Sequence, residues 1–202
     1  LAGYQQLGVF CDKKGMRPFH PDRSGFALGE AAAAVHLADG EHAQSRGLEA
    51  LATIEGWGET ADAHHMTQMD KEGRALTRAL DQTLEQTNQN SENVDLLHAH
   101  LTTTETNDVT ERTLLENWSG HPLLQAIKPS LGHTIGAAGL LEVIATVDVL
   151  QKGKPFPLPT ARPEDVPDAI DWPDPSESVD AETGVTWNMG FGGHNAALLL
   201  RS

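Results

Sequence analysis

Apolar positions along the 202-residue chain fall into short runs of two different periods. Leu76, Leu80 and Leu84 recur every four residues within 71–87, which predicts one buried face of an amphipathic helix. The runs 50–57, 94–99 and 123–127 are too short for helices packed on all sides and read as strands. Residues 25–38, GFALGEAAAAVHLA, predict a strand, followed after Asp39-Gly40 by a short polar helix through Arg46, although four consecutive alanines also suit a helix. Asn107-Asp108 can cap a helix running through Trp118. The glycine-rich turn 131–139 opens a helix over 140–152 whose apolar residues occupy nearly every side, as in a helix enclosed between layers.

After residue 153 the texture changes. Residues 154–182 contain seven prolines, and 163–182 hold eight acids with no Lys or Arg, which predicts an extended surface connection. The closing runs 184–187 and 195–200 flank Gly190-Phe191-Gly192-Gly193 and predict two strands joined through a glycine turn. Residues 1–24 carry turn chemistry and read as an irregular segment ahead of one domain spanning 25–202, with no internal repeat. Strand, loop and helix in repeated succession give an α/β layered fold.

Charge narrows the function classes. Fourteen Lys and Arg against 29 Asp and Glu leave a formal charge of −15, and no basic block is present. A nucleic-acid binder or an anionic-membrane binder needs cations at its phosphate contacts, so both are disfavoured. The single cysteine, Cys11, excludes an internal disulfide and a multi-cysteine zinc site and fits a reducing, cytoplasmic setting. Glu142 and Asp148 interrupt the apolar stretch 135–150, which is short for a membrane span. No charged-then-apolar leader opens the chain, and Leu rather than Met at residue 1 suggests a start inside a longer polypeptide.

Unusual residues concentrate in three loops that follow predicted strands: 98–104 (HAHLTTT), 128–134 (KPSLGHT) and 189–193 (MGFGG). Ligands in layered α/β folds gather outside the carboxyl ends of strands, so His100 and His133 from different loops can meet at one site as hydrogen-bond donors or bases. A metal reading rests on His98 and His100 at strand spacing and on the His64-His65 pair, but no paired ligand spacing supplies the three or four convergent groups zinc needs.

KPSLGHTIGAAG (128–139) resembles the Lys-x-x-x-Gly-His-x-x-Gly-Ala-Ala-Gly motif of the β-ketoacyl-[acyl-carrier-protein] synthases, the condensing enzymes of fatty-acid and polyketide synthesis. RPFHPDRSGFALGE (17–30), DAHHMT (62–67), AHLTTTETND (99–108) and GFGGHN (190–195) support the resemblance in the same order, over essentially the whole chain. It implies a thiolase-like layered αβαβα fold of two similar halves. This chain corresponds to the C-terminal half, with a mixed five-stranded sheet. The nucleophilic cysteine of the family lies in the other half, and Cys11 stands where the family has no catalytic residue.

The resemblance further implies decarboxylative Claisen condensation of a malonyl thioester with an acyl thioester, on substrates carried by the phosphopantetheine of acyl carrier protein and with no other cofactor or metal. His100 and His133 match the two active-site histidines, Lys128 the active-site lysine, and Glu142 a buried glutamate that pairs with it. Thr102 and Thr104 match threonines that bind the pantetheine arm. Phe191 matches a residue whose amide contributes to the acyl oxyanion hole and whose ring gates the pocket. Implied partners are acyl carrier protein, the N-terminal half, and a second subunit in a homodimer or heterodimer. The family usually has Gly where this chain has Leu101, Pro at Glu105, Phe at Met189 and Asn at Trp187; a non-condensing partner subunit, like the chain-length factors, is therefore a second reading. If that Gly supplies a positive φ, leucine is strained there.

Overall fold

The computed structural model describes residues 2–160 and 162–202; Leu1 and Ala161 lie outside the described residues. Its helices are α1 (Ala2–Gln6), α2 (Gly40–Ser45), α3 (Arg74–Glu85), α4 (Glu105–Glu116), α5 (Lys128–Leu131) and α6 (Ala138–Lys152). Its strands are β1 (Thr53–Ala61), β2 (Leu96–His98), β3 (Leu123–Gln125), β4 (Thr183–Gly190) and β5 (His194–Arg201). They form one mixed sheet in the order β1-β5-β4-β2-β3. Pairing is antiparallel for β1 with β5 and for β5 with β4, and parallel for β4 with β2 and β2 with β3.

Side-chain alternation divides the sheet into two faces. Leu97, Val185, Trp187, Ala197 and Leu199 pack into the larger core with Leu76 and Leu80 of α3 and Leu114 and Leu115 of α4. Leu96 and Leu200 face the other way, against Val149 and Leu150 of α6. Gly58 of β1 faces α3, where a β-carbon would collide with the Ala79 carbonyl oxygen, so bare backbone lets helix and strand close up. The result is a thiolase-like α/β layer stack with α3 and α4 on one face and α6 on the other.

Most predicted elements are present with shifted ends, and four expectations change. Residues 27–39 form no strand: Phe26 and Leu28 make isolated bridges to Phe10 and His133, and most of 30–38 is exposed without regular structure. A strand needs a neighbour, and among the described residues this segment pairs with none of the sheet's strands. Helix α4 starts two residues before Asn107, with Thr104 as its cap and Glu105 in the first turn, where an acid suits the helix dipole. The 154–182 connection is not merely superficial. Leu158, Val166 and Ile170 anchor it in the core, and Asp171 bonds main chain to Leu124 and Pro122, covering the otherwise open edge of β3.

Helix α6 is enclosed on one side only. Glu142, Ala145, Thr146 and Val149 are buried against the sheet, whereas Ile144 is 38% exposed and Leu141 and Val147 are half-buried. Trp57 on β1 is also exposed, at 61%. Apolar faces of this kind drive association. The isolated chain is expected to self-associate through α6 despite its charge, and Ile144→Glu to shift it towards monomer in light scattering across a concentration series. A chain that is monomeric throughout and indifferent to that change would overturn the expectation.

Candidate active site

On the α6 side of the sheet, side chains become steadily more polar towards the carboxyl ends of β2 and β4. Leu96 and Gly184 pair at the apolar end, then His98 and Thr186, and beyond them His100 and Asn188. Thr146 of α6 meets His98 Nδ1 at 3.2 Å, and one turn earlier Glu142 meets the ammonium of Lys128. The strand ends thus deliver polar groups to the place where α5 and the start of α6 approach.

Lys128 and Glu142 are both sealed from solvent and form a direct ion pair. Lys128 Nζ also donates to the His100 carbonyl oxygen at 2.7 Å and lies 3.1 Å from His100 Nδ1. Asn188 bridges the group: its Nδ2 donates to Glu142 Oε2, and its Oδ1 stands 3.0 Å from His100 Nδ1. Burial raises the Glu142 pKa and the lysine's charge opposes that shift. His100 is fully enclosed, and burial, then the Lys128 charge, then His133 hold its pKa well below the ordinary imidazole value.

His133 faces His100 edge to face, with ring centroids 5.8 Å apart and planes at 85°. The Ile135 N–H donates to His133 Nδ1 at 3.2 Å, which leaves the proton of the neutral ring on Nε2. Burial and the Lys128 charge hold its pKa at about 4, so it is neutral at pH 7. The His133 loop is set by a tight crossing with 27–29: His133 N bonds Ala27 O at 2.7 Å and Gly29 N bonds His133 O at 3.0 Å. A β-carbon on Gly132, whose φ is 78°, would lie 2.8 Å from Gly29 N, and one on Gly29 would strike Leu131 O. These two glycines make the crossing possible.

Thr102, Thr103 and Thr104 form a second cluster on the same loop. Asn107 Nδ2 donates to Thr102 Oγ1 at 2.7 Å, and the Thr102 and Thr104 hydroxyls lie 3.3 Å apart. Thr103 adopts a φ of 57° and its hydroxyl donates to Gly25 O. Phe191 stands at the β4–β5 turn, 45% exposed, and its ring leans on Tyr4 rather than on either histidine. Tyr4 in turn touches Phe26, and Phe26 meets His133 edge to face at 5.0 Å. Leu101 has a φ of 34°, so the strain anticipated for a side chain at this position is present.

The fold therefore brings His100, His133, Lys128 and Glu142 into one contact group, places Thr102 and Thr104 on the adjoining loop, and sets Phe191 apart behind an aromatic chain. Residue reading alone missed Asn188, Asn107, Glu111 and Tyr4. Asn188 was signalled only by strand alternation, being two residues beyond Thr186 on the polar face. Cys11 is partly buried, and burial pushes its thiol pKa up, away from the reactive thiolate. Among the described residues no three His, Cys, Asp or Glu side chains converge as a metal site requires, and His64 and His65 are exposed.

A family described as "Beta-ketoacyl synthase, C-terminal domain" matches residues 51–160, and the chain belongs to it. The mitochondrial 3-oxoacyl-[acyl-carrier-protein] synthase of Arabidopsis thaliana is 32% identical over 100% of this chain and 47% of its own length. Among solved structures, a β-ketoacyl synthase from Burkholderia phymatum STM815 superposes with a TM-score of 0.85 at 30% identity, over 99% of this chain and 50% of that one. The ishigamide ketosynthase/chain length factor gives a TM-score of 0.89 at 30% identity, over 100% of this chain and 50% of that one. The chain spans about half the length of the curated relatives it matches.

His98 allows a test of how dry the site is. Burial and then the Lys128 charge hold its pKa at about 3, against an ordinary 6.5. Below pH 6.5 the unfolded chain takes up a proton that the folded one does not, so this residue's contribution to stability is lost as pH falls. His98→Asn removes that linkage. Relative to the variant, the wild type should lose about 2 kcal/mol of unfolding free energy between about pH 7 and about pH 5, read by urea denaturation. A pH-independent difference would show that His98 accepts a proton in the folded state.

Proposed function

We propose that this chain is the C-terminal part of a β-ketoacyl-[acyl-carrier-protein] synthase and supplies the half of the site that handles the malonyl thioester. The observation that carries this reading is the pair of neutral imidazoles at right angles, beside a buried Lys128–Glu142 pair, at the carboxyl ends of β2 and β4. In the proposed reaction an acyl group moves from its thioester to a cysteine on the N-terminal half. A malonyl group carried by acyl carrier protein then loses carbon dioxide, and its electron pair passes to the thioester as an enolate. The enolate carbon attacks the acyl-cysteine carbonyl and the cysteine thiolate leaves.

Negative charge develops on the malonyl thioester oxygen at the decarboxylation step. Two neutral Nε2–H donors aimed at that oxygen stabilise the enolate, each worth about 3 kcal/mol in a dry site. His133 has its proton on Nε2 because Ile135 occupies Nδ1. For His100, Lys128 and Asn188 compete at Nδ1. The ammonium has three hydrogens and three acceptors, namely Glu142, the His100 carbonyl and Nδ1; leaving a buried N⁺–H unpaired costs more than leaving one amide lone pair unpaired. The lysine therefore wins Nδ1 and leaves the His100 proton on Nε2. Lys128 and Glu142 organise the site, Thr102 and Thr104 receive the pantetheine arm, and Phe191 and its amide serve the acyl side.

A non-condensing partner subunit is the competing reading, favoured by Leu101 and Met189 and by the likeness to a structure that includes a chain length factor. The retained His100, His133 and Lys128 argue against it, because a purely structural partner has no use for them. Acyl carrier protein, the missing half and a homodimeric or heterodimeric subunit are the partners this function needs.

In the full-length protein, His100→Ala and His133→Ala should each slow carbon dioxide release from malonyl thioester by about 100-fold or more, with acylation of the distant cysteine much less affected. Separate assays of the two steps decide this, and equal losses in both would point to a structural role. The present chain alone should form no acyl-enzyme. Intact-mass measurement after incubation with an acyl carrier protein thioester checks this, and a stoichiometric adduct on Cys11 would contradict it.

A further inference from the structure

The His100 loop is gripped from both faces of the sheet, and the mechanism above uses only one grip. On the α4 side, Glu111 is completely buried and accepts three hydrogen bonds: the His100 N–H at 2.7 Å, the Leu101 N–H at 2.8 Å and the Trp187 indole N–H at 2.8 Å. No acid at this position is required by the packing, since the surrounding core is apolar. A buried carboxyl group with three converging donors and no other stated task is holding something in place. What it holds is Leu101, whose backbone is left-handed with a φ of 34°, together with the histidine before it.

We propose that Glu111 is a positioning residue for His100: its carboxyl group ties the His100 and Leu101 amides to the Trp187 indole and so enforces a left-handed turn at a position occupied by leucine. A left-handed turn is unfavourable for leucine, and two amide hydrogen bonds to Glu111 plus complete burial of the Leu101 side chain offset it. Trp187 is part of the same device. Its ring is fully buried and stacks on Trp118 at 6.4 Å, which fixes the direction of the indole N–H. Leu101 and Trp187, both departures from the family pattern, thereby meet at a single carboxyl group.

The grip tightens when Glu111 ionises, because a carboxylate accepts the three N–H bonds more strongly than the neutral carboxyl group, which still has lone pairs for them. Burial, with Asp108 one turn earlier on α4, raises its pKa to about 8, against the Trp187 bond, the Lys128 charge from α5 and the Leu101 amide. Asp108 is itself buried, accepting from the Phe19 N–H and paired with Arg23. These are the charged and titrating groups that act on Glu111. The consequence for catalysis rests on His100 acting as an enolate donor; the grip itself does not, and the test separates the two.

The test uses the full 202-residue chain labelled with nitrogen-15. In proton–nitrogen correlation spectra from about pH 6 to about pH 9.5, the Trp187 indole and the His100 and Leu101 amides should move together with one midpoint near the Glu111 pKa. Three unlinked or motionless signals would overturn the proposal. Glu111→Gln should abolish the shared titration and speed amide hydrogen exchange about tenfold within 100–104, relative to exchange in β4 and β5. Adding Leu101→Gly should restore most of that local protection, since glycine adopts the turn unaided. Uniformly faster exchange, or a glycine that worsens the defect, would mean that Glu111 only stabilises the core. Should Glu111→Gln fail to fold, the wild-type titration still decides. A positive result stands even if carbon dioxide release proves independent of His100, and a negative one leaves the condensing reading intact.

Discussion

The Lys128–Glu142 ion pair is the constraint on which the site depends. Removing either partner would leave an uncompensated buried charge, at a cost of about 3–5 kcal/mol. The pair joins the end of β3 to the second turn of α6 and, through the remaining lysine protons, reaches the His100 loop after β2. Asn188 extends the same network to β4. Three neighbouring strands and the helix that packs across them are thus held in register by one desolvated charge pair, and the pair is tolerable only because all of them contribute partners. A fully apolar replacement could pack as well, but it would hold no field at the histidines.

In the proposed reaction, burial and that field together suit the imidazoles to stabilising an anion rather than to acid–base transfer. Burial around both rings, and then the Lys128 ammonium within hydrogen-bonding distance of His100, keep the two histidines neutral at pH 7. A cationic imidazole would bind a negatively charged substrate carboxylate well in the ground state and hinder its departure as neutral carbon dioxide. Neutral N–H dipoles interact most strongly where new charge appears, which is the enolate.

Much of this was legible in the residues, and the failures have physical causes. The amphipathic spacing of Leu76, Leu80 and Leu84 predicted α3, because a helix against a sheet must present one apolar stripe. The parallel strands β2 and β3 were found from apolar runs, though only three residues of each pair in the ladder. The motif histidines, Lys128 and Glu142 were named from a pattern and do meet. By contrast, residues 25–38 look like a strand by composition, and whether a strand forms depends on a neighbouring edge that local sequence does not describe. Glu111 escaped notice because an acid on a helix ordinarily faces water; its burial follows only from the packing of α4 against Trp187 and Leu101.

Backbone strain tells the same story as the charges. Among the described residues six non-glycine residues have positive φ, and four of them, Phe19, Leu101, Thr103 and Ile135, lie in the segments that build the site. Three of those four are tied to it by identified bonds: the Phe19 amide to Asp108, the Leu101 amide to Glu111, and the Ile135 amide to His133 Nδ1. Thr103 is held through its hydroxyl by Gly25 O. Each such turn costs energy that an unstrained loop would not, and each is matched by a buried or half-buried acceptor. Strain concentrated at one place and answered by specific partners there is what a preorganised site requires, since groups that must meet a developing charge cannot be left to find their positions during the reaction.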